Sequence, residues 1–331
     1  MTFTISRRAL LSTAAASALV LSAGVAMAQD KIRLRLSSVN TETDSRAIGL
    51  VEKFGPAVAE FASFEPHWNG TLFKQGTELE AIARGNLDMS IASAQEFSSF
   101  FPEFSILTAG YVHQSAEHQI AVFNDPIMDP LKAKVESELG VKLLTVMYLG
   151  KRQINLKGDT EIKTPADLAG VKLRMPGSDA WQFLGSALGA SPVPVAFGEL
   201  YTALQTGAVD GQDNPLPTVI DSKFYEVTNQ IVLTSHLVDL NYLTFSKAVW
   251  DAMTPEQQAT TQAAADAAAE HARQLQLKKE EDAIAFLTEK GIKIYEPDVA
   301  AFREAVQAAY LASDYAKDWP AGMLDRINEL A

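Results

Sequence analysis

The sequence has no cysteine in 331 residues. A disulfide scaffold, a thiolate metal site and a cysteine nucleophile are all excluded, so stability must come from a packed core. Histidine is nearly as scarce, with five. The pair His113 and His118 in HQSAEH is five apart and misses the spacing that puts two ligands on one helix face, and neither a His-Glu-x-x-His nor a Gly-x-Ser-x-Gly pattern occurs. We therefore read both as surface or packing histidines and expect neither an enzyme, a metal site nor a cofactor. Basic residues are outnumbered, 28 Lys and Arg against 41 Asp and Glu, for a net charge of −13. Nucleic acid is not an expected partner of such a chain. Long apolar runs are missing as well: the best, Ala9 to about Val20, is broken by Ser12, Thr13 and Ser17 and falls short of the ~20 residues a spanning helix needs.

What is present begins with that stretch. Arg7 and Arg8 precede it and Ala26-Met27-Ala28 closes it with a small-x-small pattern, which reads as an export signal, residues 1–28, cleaved after Ala28 into the periplasm. The paired arginines partly fit a twin-arginine signal. Cleavage would leave 303 residues and, with two basic and no acidic residues lost, a net charge of −15. That length suits two α/β lobes.

Strand and helix signals alternate from Lys31 onward. KIRLRLSS carries Ile32, Leu34 and Leu36 at period two, and VKLLTVMYLG is nearly continuous in apolar residues from Val141 to Leu149, as a strand buried on both faces should be. LDMSIAS follows a helical stretch around TELEAIARG, and helices are expected after Ala180 and over about Phe197 to Thr206. This pattern predicts a parallel sheet with crossover helices. TPEQQ offers Thr254 as N-cap, Pro255 at the first helical position and Gln257 to complete a capping box, and no Gly or Pro follows until Gly291. Either one helix of about 36 residues or two helices with an unmarked break fits.

The chemistry concentrates at two arginines and an asparagine. In GVKLRMPGSD, Val171, Leu173 and Met175 alternate with Lys172 and Arg174 before Pro176-Gly177 stops the run, so Arg174 stands near a strand's carboxyl end, where open α/β sheets bind ligands. Arg152, in YLGKRQINLKG, follows the buried run that ends at Leu149. Each is an anion clamp or a solvated arginine. Asn214 precedes Pro215 in AVDGQDNPLPT, which biases it to extended backbone; a ligand contact and ordinary turn chemistry both remain open. Trp181, Tyr148, Phe197, Tyr201 and Tyr242 are aromatic candidates for a cleft or a core.

The stretch from Thr164 to Pro215, with TPADLAGVKLRMP and ALQTGAVDGQDNP, together with EFSSFFPEFSILTAGYV and KFYEVTNQIVLTSH in the same order, resembles the solute-binding proteins of tripartite ATP-independent periplasmic (TRAP) transporters, the DctP family. The resemblance covers most of the chain after the signal. It implies a two-lobed α/β periplasmic binding fold with a hinge, strands crossing between lobes and a long helix spanning both. Lobe I would comprise residues 29–149 plus about 240–279, and lobe II residues 150–239 plus about 280–331. It further implies that Arg174 binds the ligand carboxylate through two prongs, that Asn214 and Arg152 help fix it, and that Phe197 packs on the ligand. Sialic-acid binders of the family carry a Glu where SIASAQEF here has Ser93, with Gln95 and Glu96 nearby. That departure counts against sialic acid. Asn40, with Thr41 or Glu42, would supply polar contacts from the other lobe.

The expected ligand is therefore an organic acid, a sugar acid such as a uronate or aldonate, with an aromatic or short-chain acid as the alternative. The partners implied are the small and large membrane subunits of a TRAP permease, with the binding protein a monomer; a binding protein for an ATP-driven importer would share the two-lobed form. Charged hydrogen bonds of roughly 1.5–3 kcal/mol each, from two arginines and an amide, would supply much of the ~8 kcal/mol of micromolar binding.

Overall fold

The computed structural model describes residues 31–331; the expected export signal and its cleavage point lie outside the described residues. Nine strands form one sheet: β1 (Ile32–Ser37), β2 (Ala62–His67), β3 (Met89–Ser93), β4 (Val141–Leu156), β5 (Lys172–Met175), β6 (Ser191–Pro194), β7 (Gly211–Pro215), β8 (Gln230–Ser246) and β9 (Lys293–Tyr295). Their order is β2-β1-β3-β8-β4-β7-β5-β6, with β9 also beside β8.

The sheet is mixed, which corrects the parallel expectation. β1 with β3, and β5 with β6 and β7, run parallel, whereas β8 is antiparallel to β3 and β4, and β4 to β7. The reason lies in β4 and β8, which at 16 and 17 residues are about three times an ordinary strand. They pair from Val141 opposite Ser246 to Leu156 opposite Gln230 and run from one parallel unit into the other. The fold thus has two lobes that share these strands. One holds β1, β2 and β3 with the start of β4 and the end of β8; the other holds β5, β6 and β7 with the opposite ends.

Where the shared ribbon passes between the lobes its register shifts three times, at Leu143/Thr145, Tyr148/Gly150 and Arg152/Ile154. Such bulges bend and twist a strand without ending it. Gly150, at φ +126°, occupies one of them, and a Cβ there would stand 2.6 Å from Glu280 Oε1 and 2.8 Å from Pro215 Cβ. The buried run therefore does not end at Leu149: Arg152 lies inside β4, not after it. In the same way Gly211–Pro215, which reads as a punctuated loop, is a fully buried strand. Asn214 is extended, as the residue before proline should be, and Gly211 is required because a Cβ would stand 2.7 Å from the backbone oxygen of Asn155.

One unbroken helix, Pro255–Glu289, fills the stretch that allowed one or two. Its start is the capping box expected: Gln257 N donates to Thr254 Oγ1 (3.2 Å) and Thr254 N to Gln257 Oε1 (3.0 Å). At 1.5 Å per residue its 35 residues reach about 52 Å. Its buried alanines Ala268 and Ala272 let it lie close against the helical turn at Gly49, where an added Cβ would stand 2.5 Å from Ala268 O, and Gln262 and Gln276 donate to the carbonyls of Leu144 and Leu149 in β4. Lys279 ties both sides, donating to Thr43 O (2.6 Å) and pairing with Asp221 at 3.0 Å. Residues 33–331 form one compact unit, and no helix among the described residues is long and apolar enough to cross a membrane.

A candidate anion-binding cleft

Arg174 lies in β5, whose side chains alternate between the two faces of the sheet. Leu173 and Met175 are fully buried, and period two would turn Arg174 toward the opposite face; that face is the cleft between the lobes, so the guanidinium is buried too, at 1 % exposure. Nε donates to Val195 O at 2.7 Å and Nη2 to Gln75 Oε1 at 3.1 Å. Both acceptors are neutral. Burial pushes this group down to about 9, with Arg152 pushing the same way and Asp213 opposing. The charge lacks a partner.

Arg152 is buried beside it but differently satisfied. Its Nε donates to Asp239 Oδ2 at 2.6 Å, and Nη1 donates to Asp213 O (2.7 Å) and Asn214 Oδ1 (3.2 Å) and lies 3.4 Å from Asp213 Oδ2. The guanidinium carbon stacks over the Trp181 ring at 4.3 Å. Against the cost of burial, Asp239 and Asp213 hold Arg152 above its ordinary value, and Arg152 with His236 holds Asp213 below its own. Asp213 also accepts from or shares a proton with His236 Nε2 at 3.1 Å. A third arginine, Arg46, binds Asp44 through Nε (2.9 Å) and Nη2 (2.8 Å) and donates from Nη1 to Asn241 Oδ1. Of the three buried cleft arginines, Arg174 alone forms no ion pair.

The cleft between the lobes is partly open to solvent. Arg174, Arg152, Asn214, Phe197, Asn40, Ser93 and Trp181 line it, seven of the eight expected ligand residues, together with Thr41. Several are committed to neighbours. Asn214 Nδ2 donates to Gln212 Oε1 (2.6 Å), Asn40 Nδ2 to Asp44 Oδ1 (3.3 Å), and Ser93 caps a short helix through Glu96. Phe197 packs edge-on against Phe224 with Arg174 5.8 Å from its ring. Tyr148 stands outside: its hydroxyl donates to Glu280 Oε2 at 2.8 Å beneath the long helix. Tyr201 pairs with Glu226 away from the cleft, and Tyr242 is core among Phe97, Phe104 and Phe123. His113 and His118 are buried with rings 5.2 Å apart.

Sequence reading missed Arg46, Asp44, Gln75, Glu78 and Asn241, all of which line the cleft. Asp44 was the findable one, since TDSR is an N-cap pattern and its side chain does accept from Arg46 N at 2.8 Å. Glu78 and Glu96 supply the acids that Ser93 lacks. Burial, reinforced by Glu96, pushes Glu78 up to about 8; burial, opposed by the Ser93 hydrogen bonds and aided by Asp239, pushes Glu96 up to about 7. Among the described residues no group of three or more His, Asp or Glu side chains is placed to hold a metal ion. The arrangement offers one uncompensated cation to an anion and a rim of acceptors to hydroxyl groups.

The sequence model of DctP, bacterial extracellular solute-binding protein, family 7, matches residues 37–318. The chain belongs to this family. A TRAP periplasmic solute-binding protein of Roseobacter denitrificans, solved with bound 3-deoxy-D-manno-oct-2-ulosonic acid (KDO), is 64% identical with a TM-score of 0.91, over 91% of this chain and 100% of that one. A second solute-binding protein of the same organism is 31% identical over 88% of this chain and 90% of its own length. The sialic acid-binding periplasmic protein SiaP of Vibrio cholerae is 29% identical over 71% and 73%. The chain is thus a TRAP-type solute-binding protein, of a transport family that binds organic acids and delivers them to TRAP membrane permeases.

Proposed function

We propose that the protein captures a 3-deoxy-2-keto sugar acid of the KDO class in the periplasm and hands it to a two-subunit TRAP permease. The observation that carries this is Arg174, a buried cation whose acceptors are both neutral, in a cleft lined by acceptors. A carboxylate supplies the missing charge through the planar fork that only arginine offers. Glu78, Glu96 and Asn40 then accept from hydroxyls on the rest of the ligand, and Phe197 and Trp181 give the carbon skeleton an apolar wall. The 64% identical KDO-bound protein supports the octulosonate within the sugar-acid class. The protein acts without turnover, as a monomer whose lobes, residues 29–149 plus about 240–279 and 150–239 plus about 280–331, close on the ligand, after cleavage behind Ala28.

Calorimetry on the purified protein tests the assignment with KDO, N-acetylneuraminate, galactonate, galacturonate and benzoate. Micromolar or tighter binding of KDO, with the other acids at least ~30-fold weaker, about 2 kcal/mol, is expected. Tighter binding of any other acid overturns the octulosonate, and no binding by any of the sugar acids overturns the class.

A further inference from the structure

Gln75 joins the two lobes by a different means from the strands and the long helix. It sits on the loop after β2, in the lobe built on β1 to β3, half-buried at the mouth of the cleft. Its single Oε1 accepts two hydrogen bonds from the opposite lobe, from Arg174 Nη2 at 3.1 Å and from Phe197 N at 3.0 Å. Those two donors stand on β5 and on the turn after β6. No other hydrogen bond of Arg174 crosses the cleft, since Val195 O belongs to its own lobe.

The chemistry of this side chain suits a bridge that must not block an anion. A glutamate here would satisfy the same two donors but would also cancel the Arg174 charge, forming the ion pair that Arg152 and Arg46 have and Arg174 lacks. The amide is neutral, so it holds one guanidinium donor and leaves the positive charge for a ligand. Arg174 retains further N–H groups, because five are available in the fork and two are used. An acceptor reaching from one lobe to the ligand-binding residue of the other makes closure and carboxylate capture mutually reinforcing: ordering Arg174 favours the latch, and the latch orders Arg174.

Resting on the carboxylate reading of Arg174, we propose that Gln75 is an interlobe latch and positioning residue that keeps the closed cleft shut around its ligand and so sets the rate of ligand release. Because it engages only once the lobes meet, it acts on dissociation rather than on encounter.

The test compares wild type with Gln75→Met, which keeps length and volume without the acceptor, and Gln75→Glu, which keeps the acceptor and adds charge. Stopped-flow kinetics with KDO should show Gln75→Met releasing ligand about tenfold faster or more, as loss of hydrogen bonds to a charged group implies, with an association rate within about twofold of wild type. Gln75→Glu should lose affinity for KDO by at least about a hundredfold through occupation of Arg174. Distance measurements between spin labels on the two lobes, made without ligand, give a second readout: Gln75→Met shifts toward longer distances and Gln75→Glu toward shorter ones. A release rate of Gln75→Met equal to wild type, or unchanged label distances in both variants, overturns the latch. Failure of wild type to bind KDO overturns the ligand assignment instead and leaves the distance measurement to decide the latch.

Discussion

Arg174 and Arg152 are the same residue type buried in the same cleft, and their partners divide their roles. Arg152 has Asp239 and Asp213 as permanent counter-ions and a stacking contact on Trp181, so it shapes the cleft whether or not an anion arrives. Arg174 has only a carbonyl and an amide. Replacing Arg174 with lysine should weaken binding of the carboxylate ligand by about 2–5 kcal/mol, because a single ammonium cannot match both oxygens and leaves the buried pair broken. Ligand-free melting should hold or rise, since a buried lysine sheds its proton more readily than an arginine and so relieves the repulsion from Arg152. Calorimetry and melting on the same variant check both halves; near-native affinity would return Arg174 to a structural role. Alternation in VKLRMP was enough to place Arg174. It failed for Arg152, because Gly150 reads as a stop and is a bulge, and for Glu78, because nothing local marks which exposed-looking acid of TELE turns into a cleft.

The elements divide by how far apart their determinants lie in sequence. The start of the long helix was legible because it is written in four adjacent residues, Thr254 to Gln257, whereas the lack of Gly or Pro after it fitted one helix or two. The antiparallel centre was not legible, since β4 pairs with a strand about 74 to 105 positions away and no local pattern carries direction or partner. The same holds for β7, whose five residues are strand only because β4 and β5 flank them. Gly150 is where this non-local geometry is most exacting. Gly150→Ala forces an L side chain to φ +126° and drives its Cβ against Pro215 and the Glu280 carboxylate. Backbone strain and overpacking together should cost about 2–5 kcal/mol, seen as a lower denaturation midpoint. An unchanged midpoint would show that the crossing ribbon is pliable at this bulge.

For the whole molecule the question is how an acidic protein holds an acid. Surface carboxylates beyond a Debye length of about 8 Å are largely screened, so the groups that matter are those in the cleft. There the two acids facing the ligand, Glu78 and Glu96, are raised to about 8 and about 7 from an ordinary 4.5, by burial first, and by Glu96 and Asp239 respectively. A carboxyl raised in the native state binds protons that the unfolded chain has already released, so its contribution to stability is full below about pH 4.5 and is lost as pH climbs through the native value. One group opposes this slope, and only at the acid end of the range: His113, pushed down to about 3 by burial and His118, is neutral in the native state while the unfolded chain still binds a proton near its ordinary 6.5, a smaller effect than the loss from Glu78 and Glu96. Asp44 and Asp213 are held low and matter only in acid, and Arg174 changes only above about 9. Ligand-free melting should therefore fall from pH 6.5 to 8.5, each kcal/mol lost lowering the midpoint by about 2–4 °C, and Glu78→Gln should flatten that slope. Anion binding is linked to the same protons. A ligand carboxylate entering near Glu78 and Glu96 favours their neutral forms, so binding at pH 7.5 should take up a fraction of a proton and affinity should weaken as pH rises. Calorimetry in two buffers of different ionisation enthalpy measures the uptake directly. Proton release on binding, or an uptake that persists in the Glu78→Gln, Glu96→Gln double variant, would show that these two acids are not the groups that couple the cleft to pH.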